Sequence, residues 1–122
     1  MRSDAIDRGE QRNSDTTILT GSEIEEQIKI IPEWKIIHED SMNKLMREYA
    51  FINFDQVLTF TEMIRKLAEK EGHHPVIKST WGKVTIYWWT HSMRGLKDKD
   101  FVLAMKCDKL YKKFQIGEST TS

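Results

Sequence analysis

Apolar residues recur three and four positions apart in three segments of the chain, and this spacing predicts three amphipathic helices. The predicted helices are a short one that Thr20 or Ser22 caps and Pro32 ends, a long one that Asn53 or Asp55 caps and that runs to Lys70, and a last one over Lys97–Phe114. Gly72 and Pro75 closely follow the long helix. Because glycine adopts the left-handed conformation of a helix C-cap and proline lacks an amide hydrogen, we expect the long helix to end there.

Four strand-like segments between these helices, separated by turn-prone residues, predict two β-hairpins. The predicted strands are Trp34–His38, Lys44–Phe51, Val76–Thr80 and Lys83–Thr90. Turn-prone segments join them in pairs, so each pair is expected to be antiparallel. The resulting order of elements predicts an α+β fold, in which a four-stranded antiparallel sheet has its helices packed on one face.

The length and composition indicate one small domain. The chain has 122 residues, of which 39% are hydrophobic and 31% charged. We place the folded domain at residues 20–116, between an N-terminal tail over 1–19 and a C-terminal tail over 117–122. The N-terminal stretch mixes arginines with acidic residues and has no hydrophobic period, which predicts a flexible tail and no export signal. Because a domain of this size gains stability by self-association, we expect a homo-oligomer.

The charge balance and the single cysteine argue against several classes of function. Nineteen basic and nineteen acidic side chains give a formal net charge of zero, which disfavours direct binding to nucleic acid or to an anionic membrane surface. No apolar run approaches the ~20 residues of a membrane-spanning helix. Cys107 alone forms neither an internal disulfide nor a cysteine-rich zinc site. We therefore expect a cytoplasmic protein in a reducing compartment.

Three of the four histidines lie where predicted elements end. His73 and His74 follow the long helix, and His91 follows the last strand. The macrodipole at a helix C-terminus favours a cationic imidazole, and Glu69, about one turn earlier, can fix the tautomer of one ring. Imidazoles that exchange protons near neutral pH act as general acids and bases. Three imidazoles and a carboxylate at two distant places in the chain therefore indicate a catalytic site.

Taken singly, several of these residues have simpler structural explanations. His73 alone is typical of a solvated helix end, and the Trp88–Trp89 pair is typical of a core or an interface. The segment Lys97–Asp100 is typical of a solvated first helical turn. If the last strand continues through His91, however, one of its faces combines that histidine with an aromatic surface suited to a flat heterocycle, formed with Thr85, Tyr87 and Trp89.

Seven residues in fixed order between positions 69 and 100 resemble the signature of the pterin-4a-carbinolamine dehydratases. They are Glu69, His73, His74, Pro75, Trp81, His91 and Asp100. The order of predicted elements from Trp34 onward is also that of the family. The resemblance covers about residues 20–114 and leaves the N-terminal tail unexplained.

The resemblance implies the dehydration of 4a-hydroxytetrahydropterin to quinonoid dihydropterin, a hydro-lyase reaction of tetrahydrobiopterin recycling that uses no metal and no cofactor. It implies that His73, His74 and His91 are the catalytic acid and base groups, and that Glu69 orients or charges one of them, in the first place His73. The substrate-binding residues that it implies are His73, His74, Pro75, Thr90, His91, Ser92, Met93 and Asp100. It also implies a pterin substrate and assembly as a homodimer or homotetramer.

Two positions depart from the pattern of many relatives. Ile77 stands where they have tryptophan, and Lys99 stands where they have arginine. Lysine keeps the positive charge but lacks the planar fork of a guanidinium group, so a bidentate contact is not available at this position. Neither departure changes one of the three histidines.

Two other functions stay open from the sequence. The chain could be a helix-mediated interaction module, since some animal members of the family are dimerisation partners of a transcription factor. It could also be a zinc hydrolase whose ligands are His73, His74 and His91. Adjacent histidines on a regular strand point to opposite sides, which disfavours the zinc site.

Overall fold

The computed structural model describes residues 18–121, so almost all of the predicted N-terminal tail lies outside the described residues. The elements in chain order are helix α1 (Gly21–Ile28), strands β1 (Lys35–Glu39) and β2 (Met42–Ala50), helix α2 (Phe54–Glu71), strands β3 (Val76–Thr80) and β4 (Lys83–Trp88), a 3-10 turn (His91–Met93) and helix α3 (Asp98–Thr121). The four strands form one antiparallel sheet in the order β1-β2-β4-β3. The predicted α+β fold is confirmed.

Side-chain caps decide where the first two helices begin. The Thr20 hydroxyl accepts a hydrogen bond from the Glu23 amide, and the Glu23 carboxylate accepts one from the Thr20 amide, which is a complete capping box. The Asn53 side chain caps α2 in the same way by accepting from the amide of Gln56 at 2.8 Å. Gly72 ends α2 in the left-handed region, with φ of 63°, as its position in the sequence predicts.

The core lies between the helices and one face of the sheet. Val84, Ile86 and Trp88 alternate along β4 and are fully buried beneath the helices, whereas Lys83 is exposed and Tyr87 half-buried on the opposite face. An aromatic cluster joins strand β2 and the residue just after it to helices α2 and α3, because each ring packs against its neighbours at centroid distances of about 5–6 Å. Its members are Tyr49, Phe51, Phe60 and Tyr111.

A carboxylate on α3 ties that helix to the sheet. One oxygen of Asp108 accepts hydrogen bonds from the Tyr49 hydroxyl at 2.6 Å, from the Arg47 guanidinium at 2.8 Å and from the Trp34 indole at 3.0 Å. Burial raises the pKa of Tyr49 far above its usual value, and the nearby Cys107 and Asp108 raise it further. The Tyr49 hydroxyl therefore stays protonated and remains a donor to this carboxylate.

Several predicted boundaries differ from the structure by a few residues, and two of the differences affect the site and the end of the chain. Strand β4 ends at Trp88 and not at Thr90, because the chain turns there and Thr90 pairs with Gly95 in an isolated antiparallel bridge. Helix α3 continues past its predicted end at Phe114 to Thr121, into the segment that was expected to be a C-terminal tail. The division into a domain at 20–116 with two tails stays a prediction.

The buried position of Cys107 predicts an unreactive thiol. Burial raises the pKa of this thiol to about 12, so at pH 8 almost none of it is the nucleophilic thiolate. We expect a soluble thiol reagent to modify Cys107 at least about 100-fold faster in unfolding denaturant than in buffer. Stopped-flow absorbance at both conditions measures the ratio. Equal rates would contradict the described packing of α3.

Candidate active site

The end of helix α2 directs His73 into the protein. Gly72 takes the left-handed conformation, and the amide of His73 then donates to the carbonyl of Ala68 at 3.2 Å. This reversal turns the His73 ring inward, where it stacks on Trp88 with 5.8 Å between centroids and 26° between planes. The side chain of His73 is 18% exposed, so it keeps a narrow opening to solvent.

The inner partner of His73 is Asp100, whose side chain is fully buried. One oxygen of this carboxylate lies 2.8 Å from Nε2 of His73. The other accepts hydrogen bonds from the Thr90 hydroxyl at 2.8 Å and from the Lys97 amide at 2.9 Å. Donors on every side and the N-terminus of α3 offset the cost of burying the carboxylate. The interpretation of this segment as a solvated helical turn is wrong for Asp100.

Asp100 also connects this histidine to the segment that carries His91. Thr90, which donates to Asp100, immediately precedes the 3-10 turn His91–Met93. The Thr90 amide donates to the Gly95 carbonyl at 2.8 Å, which closes the turn. Arg94 follows in the left-handed region, with φ of 56°, and its side chain donates to the carbonyl of Asp40 at 2.8 Å.

The expected continuation of strand β4 through His91 is wrong, because the chain leaves the sheet after Trp88. His91 therefore does not continue the strand face on which it was expected. The Trp89 ring nevertheless lies beside the His91 ring, with 6.2 Å between centroids. An aromatic surface next to this histidine is thus present, although a turn and not a strand provides it.

The first described residues brace the same turn. The Leu19 amide donates to the Leu96 carbonyl at 2.8 Å, and Ile18 packs over Gly95. A Cβ at position 95 would lie 2.9 Å from the Ile18 side chain, closer than side chains approach in practice. Gly95 thus permits a close contact between the start of the described chain and the turn after His91.

His74 has a different partner from His73. Its Nε2 lies 3.1 Å from a carboxylate oxygen of Glu69, and the side chains are 67% and 64% exposed. The expectation that Glu69 orients His73 is wrong, because the left-handed Gly72 turns the next residue inward and leaves the following one to fold back along the helix. The two adjacent histidines therefore each have a carboxylate partner, one buried and one exposed.

The remaining residues of the predicted site differ in their exposure to solvent. Pro75 and Met93 are half-buried, and Ser92 is exposed. Within residues 18–121, no three His, Cys, Asp or Glu side chains are placed close enough together to hold a metal ion. His73 and His74, which a zinc site would need as joint ligands, face different neighbours.

Two contributors to the site are not among the predicted residues. Trp88 supports the His73 ring, and its own indole donates to the Cys107 sulfur at 3.3 Å. Glu71 binds two lysines of α3 at the helix end just before Gly72. The alternation of β4 predicts that Trp88 faces the core, but sequence spacing carries no signal for its stacking on an imidazole.

Sequence comparison identifies the family of this chain. The profile described as Pterin 4 alpha carbinolamine dehydratase matches residues 17–110. A relative from Marinobacter nauticus, provisionally named pterin-4-alpha-carbinolamine dehydratase, is 42% identical over 99 residues, which are 81% of this chain and 89% of the relative. One from Chlorobium luteolum with the same provisional name is 44% identical over 93 residues, 76% and 82% of the two chains. The chain belongs to the pterin-4a-carbinolamine dehydratase family.

Solved structures share the fold. A crystal structure of a transcriptional coactivator/pterin dehydratase from Brucella melitensis superposes with a TM-score of 0.71 at 26% identity, covering 78% of this chain and 99% of that one. A pterin dehydratase-like protein identified as a RuBisCO assembly factor of the alpha-carboxysome has a TM-score of 0.55 at 21% identity, covering 65% and 89%. The second likeness concerns the fold alone. Among the described helices, none has both the length and the apolar character to cross a bilayer.

Replacing Asp100 by asparagine tests the buried carboxylate. The side-chain amide of asparagine has an N–H group where Asp100 has an oxygen, and this group would face a hydrogen-bond donor with no acceptor. We therefore expect Asp100→Asn to lower the free energy of unfolding by about 1–3 kcal/mol. Asp98→Asn is the matched control, because Asp98 lies in the same helical turn and accepts a hydrogen bond from Gln27, which an amide oxygen can also accept. Urea unfolding of both variants measures the difference, and equal stabilities would contradict the described contacts.

Proposed function

We propose that this protein dehydrates 4a-hydroxytetrahydropterin to quinonoid dihydropterin by histidine acid/base catalysis. Membership of the family supports carbinolamine dehydratase activity, which is a lyase reaction. The observation that carries the histidine mechanism is the Asp100 carboxylate, which contacts the His73 ring and the Thr90 side chain together. This carboxylate links the segment that carries His73 and His74 to the segment that carries His91.

The reaction needs two proton transfers. The C4a–O bond breaks, the departing hydroxyl takes a proton and leaves as water, and a ring nitrogen of the pterin gives up its proton to a base. Positioned imidazoles contribute typically about 10²–10⁴-fold to such transfers. We assign these transfers to His73, His74 and His91 together, with no metal and no cofactor.

The carboxylate contacts orient the rings for this chemistry. An ionised carboxylate only accepts hydrogen bonds, so Nε2 of His73 donates to Asp100 and Nε2 of His74 donates to Glu69. In each ring, Nδ1 is then the nitrogen that exchanges a proton with the substrate. It accepts a proton when the ring is neutral and donates one when the ring is charged. His91 is exposed on the 3-10 turn, beside the aromatic surface of Trp89.

The wider role follows from the same proposal. The substrate is a pterin carbinolamine, and the product returns to tetrahydrobiopterin recycling. Pro75, Thr90, Ser92, Met93 and Asp100 form or support the substrate-binding walls together with the histidines. We place the reaction in the cytoplasm and assign it to a homodimer or homotetramer that binds neither nucleic acid nor membrane.

The decisive experiment is the dehydration rate of 4a-hydroxytetrahydropterin, followed by absorbance with and without a chelator. We expect a rate well above the spontaneous one and equal in the two conditions. A rate that equals the spontaneous reaction would overturn the proposal, and a rate lost on chelation would replace it with a metal-dependent mechanism.

Histidine variants extend the same assay. His74→Ala and His91→Ala are each expected to lower kcat about 10²-fold or more while leaving the far-UV and near-UV circular dichroism unchanged. His38→Ala is the control, because His38 lies on β1 and contacts Asn43 away from the site. Unchanged turnover in the first two variants would remove these residues from the mechanism.

A second candidate function, a helix-mediated interaction module, is favoured by the outer face of α2. Phe54 and Leu58 lie one turn apart on this helix and are each 48% exposed. Large apolar side chains at this spacing suit a surface that packs against a second copy of the helix. The coactivator name of the Brucella melitensis structure belongs to that protein and is consistent with such a surface.

Charge substitutions on this face test the association. We expect Leu58→Lys to shift the sedimentation coefficient toward the monomer, because a buried lysine at a helix interface is unfavourable. Glu26→Lys on α1 is the control, since its side chain is 75% exposed. If Leu58→Lys sediments like the unaltered protein, the face does not mediate self-association.

A further inference from the structure

Two parallel rows of side chains on α3 meet the segment around His73. Asp100 and Cys107 form the inner row, and Lys99 and Lys106 form the row beside it. Residues seven apart lie on nearly the same side of a helix, about 10.5 Å apart along its axis. The inner row contacts the His73 and Trp88 rings, and the lysine row contacts the end of α2.

The lysine row converges on one carboxylate. Lys99 and Lys106 each place Nζ 2.9 Å from a different oxygen of Glu71, the last residue of α2. The Glu71 side chain is 16% exposed, which is far less than the other ion-paired acids of α2. Hydrogen bonds from Lys106 and then Lys99 lower the pKa of Glu71 to about 2, so it is fully charged at neutral pH.

This contact lies two residues from the catalytic ring. Between Glu71 and His73 there is only Gly72, whose backbone has no Cβ to restrict it. His73 in turn contacts Asp100, the neighbour of Lys99 in sequence. The end of α2 and the start of α3 are thus joined at two adjacent points, one through ions and one through the imidazole.

We propose that Glu71, Lys99 and Lys106 form a clamp that positions His73 against Asp100 for catalysis. The clamp fixes the end of α2 relative to the first turns of α3, and the flexible Gly72 cannot do this by itself. These are positioning residues, since they act through His73. As a catalytic statement the clamp rests on the proposed dehydratase function, but its effect on the His73 ring is measurable without that activity.

The test compares Glu71→Gln with Glu62→Gln in the full chain. Glu62 also lies on α2 and also has an ion pair, with Arg65. Both of these side chains are about half exposed, and both lie further from Gly72 than Glu71 does. We expect Glu71→Gln to lower kcat about tenfold, as small misplacements of catalytic groups do, with KM for the pterin changed less than twofold. In the same variant the ¹H–¹⁵N signals of the His73 ring shift, whereas Glu62→Gln leaves kcat and those signals unchanged.

A variant that lacks both lysines tests whether Glu71 acts on His73 through its ion pairs. In Lys99→Met/Lys106→Met, we expect the further change Glu71→Gln to have no additional effect on kcat, because the clamp is already absent. An equal tenfold loss in that background overturns the clamp. If Glu71→Gln does not fold, Lys106→Met replaces it in the same measurements. Its control is then Lys113→Met, because Lys113 is exposed on α3.

The clamp and the proposed activity fail separately. A protein without dehydratase activity refutes the function, and the His73 ring signals then decide the clamp alone. His73 signals that are identical in Glu71→Gln and the unaltered protein refute the clamp, whatever the activity.

Discussion

The site depends on one buried carboxylate that three donors contact, the His73 ring, the Thr90 hydroxyl and the Lys97 amide. A lone carboxylate in the interior is very costly, and Asp100 is stable there only because a hydroxyl, an amide and an imidazole all point at it. Each of these groups comes from a different stretch of chain. The hydrogen bonds of Asp100 therefore form only when the end of α2, the turn after β4 and the start of α3 lie together.

A second carboxylate repeats this principle further along the same helix. Asp108 lies eight residues after Asp100, about 80° around α3 from it, and accepts hydrogen bonds from β2 and from the segment before β1. The apolar residues between them, among which Ala104 and Cys107 are fully buried, pack against the core but do not by themselves fix the orientation of the helix. The hydrogen bonds of the two acids fix the rotation and register of α3 over the sheet, because hydrogen bonds are directional.

The elements of this fold were largely predictable because each has a local cause. The caps at Thr20 and Asn53, the left-handed Gly72 and the alternation of the strands all act within a few residues. The partners within the site were not predictable in the same way. By its spacing alone, Glu69 can reach either His73 or His74, and the backbone reversal at Gly72 decides between them.

The same limit applies to long-range contacts. The burial of Asp100 depends on Thr90, ten residues earlier, and on His73, twenty-seven residues earlier, and no periodicity encodes those meetings. The end of β4 was misplaced for this reason too. The bridge between Thr90 and Gly95 diverts the chain, and the strand-forming composition up to Thr90 gave no sign of it.

The contact of Ile18 and Leu19 with the turn after His91 has a consequence for motion. Local opening of that turn would break the hydrogen bond between Leu19 and Leu96 and separate Ile18 from Gly95, so we expect the two regions to open together. Amide hydrogens on both sides of this contact are then expected to exchange at similar rates, although more than seventy residues of chain separate them. Ile18 and Leu19, which lie before α1, would then help to keep the turn after His91 closed.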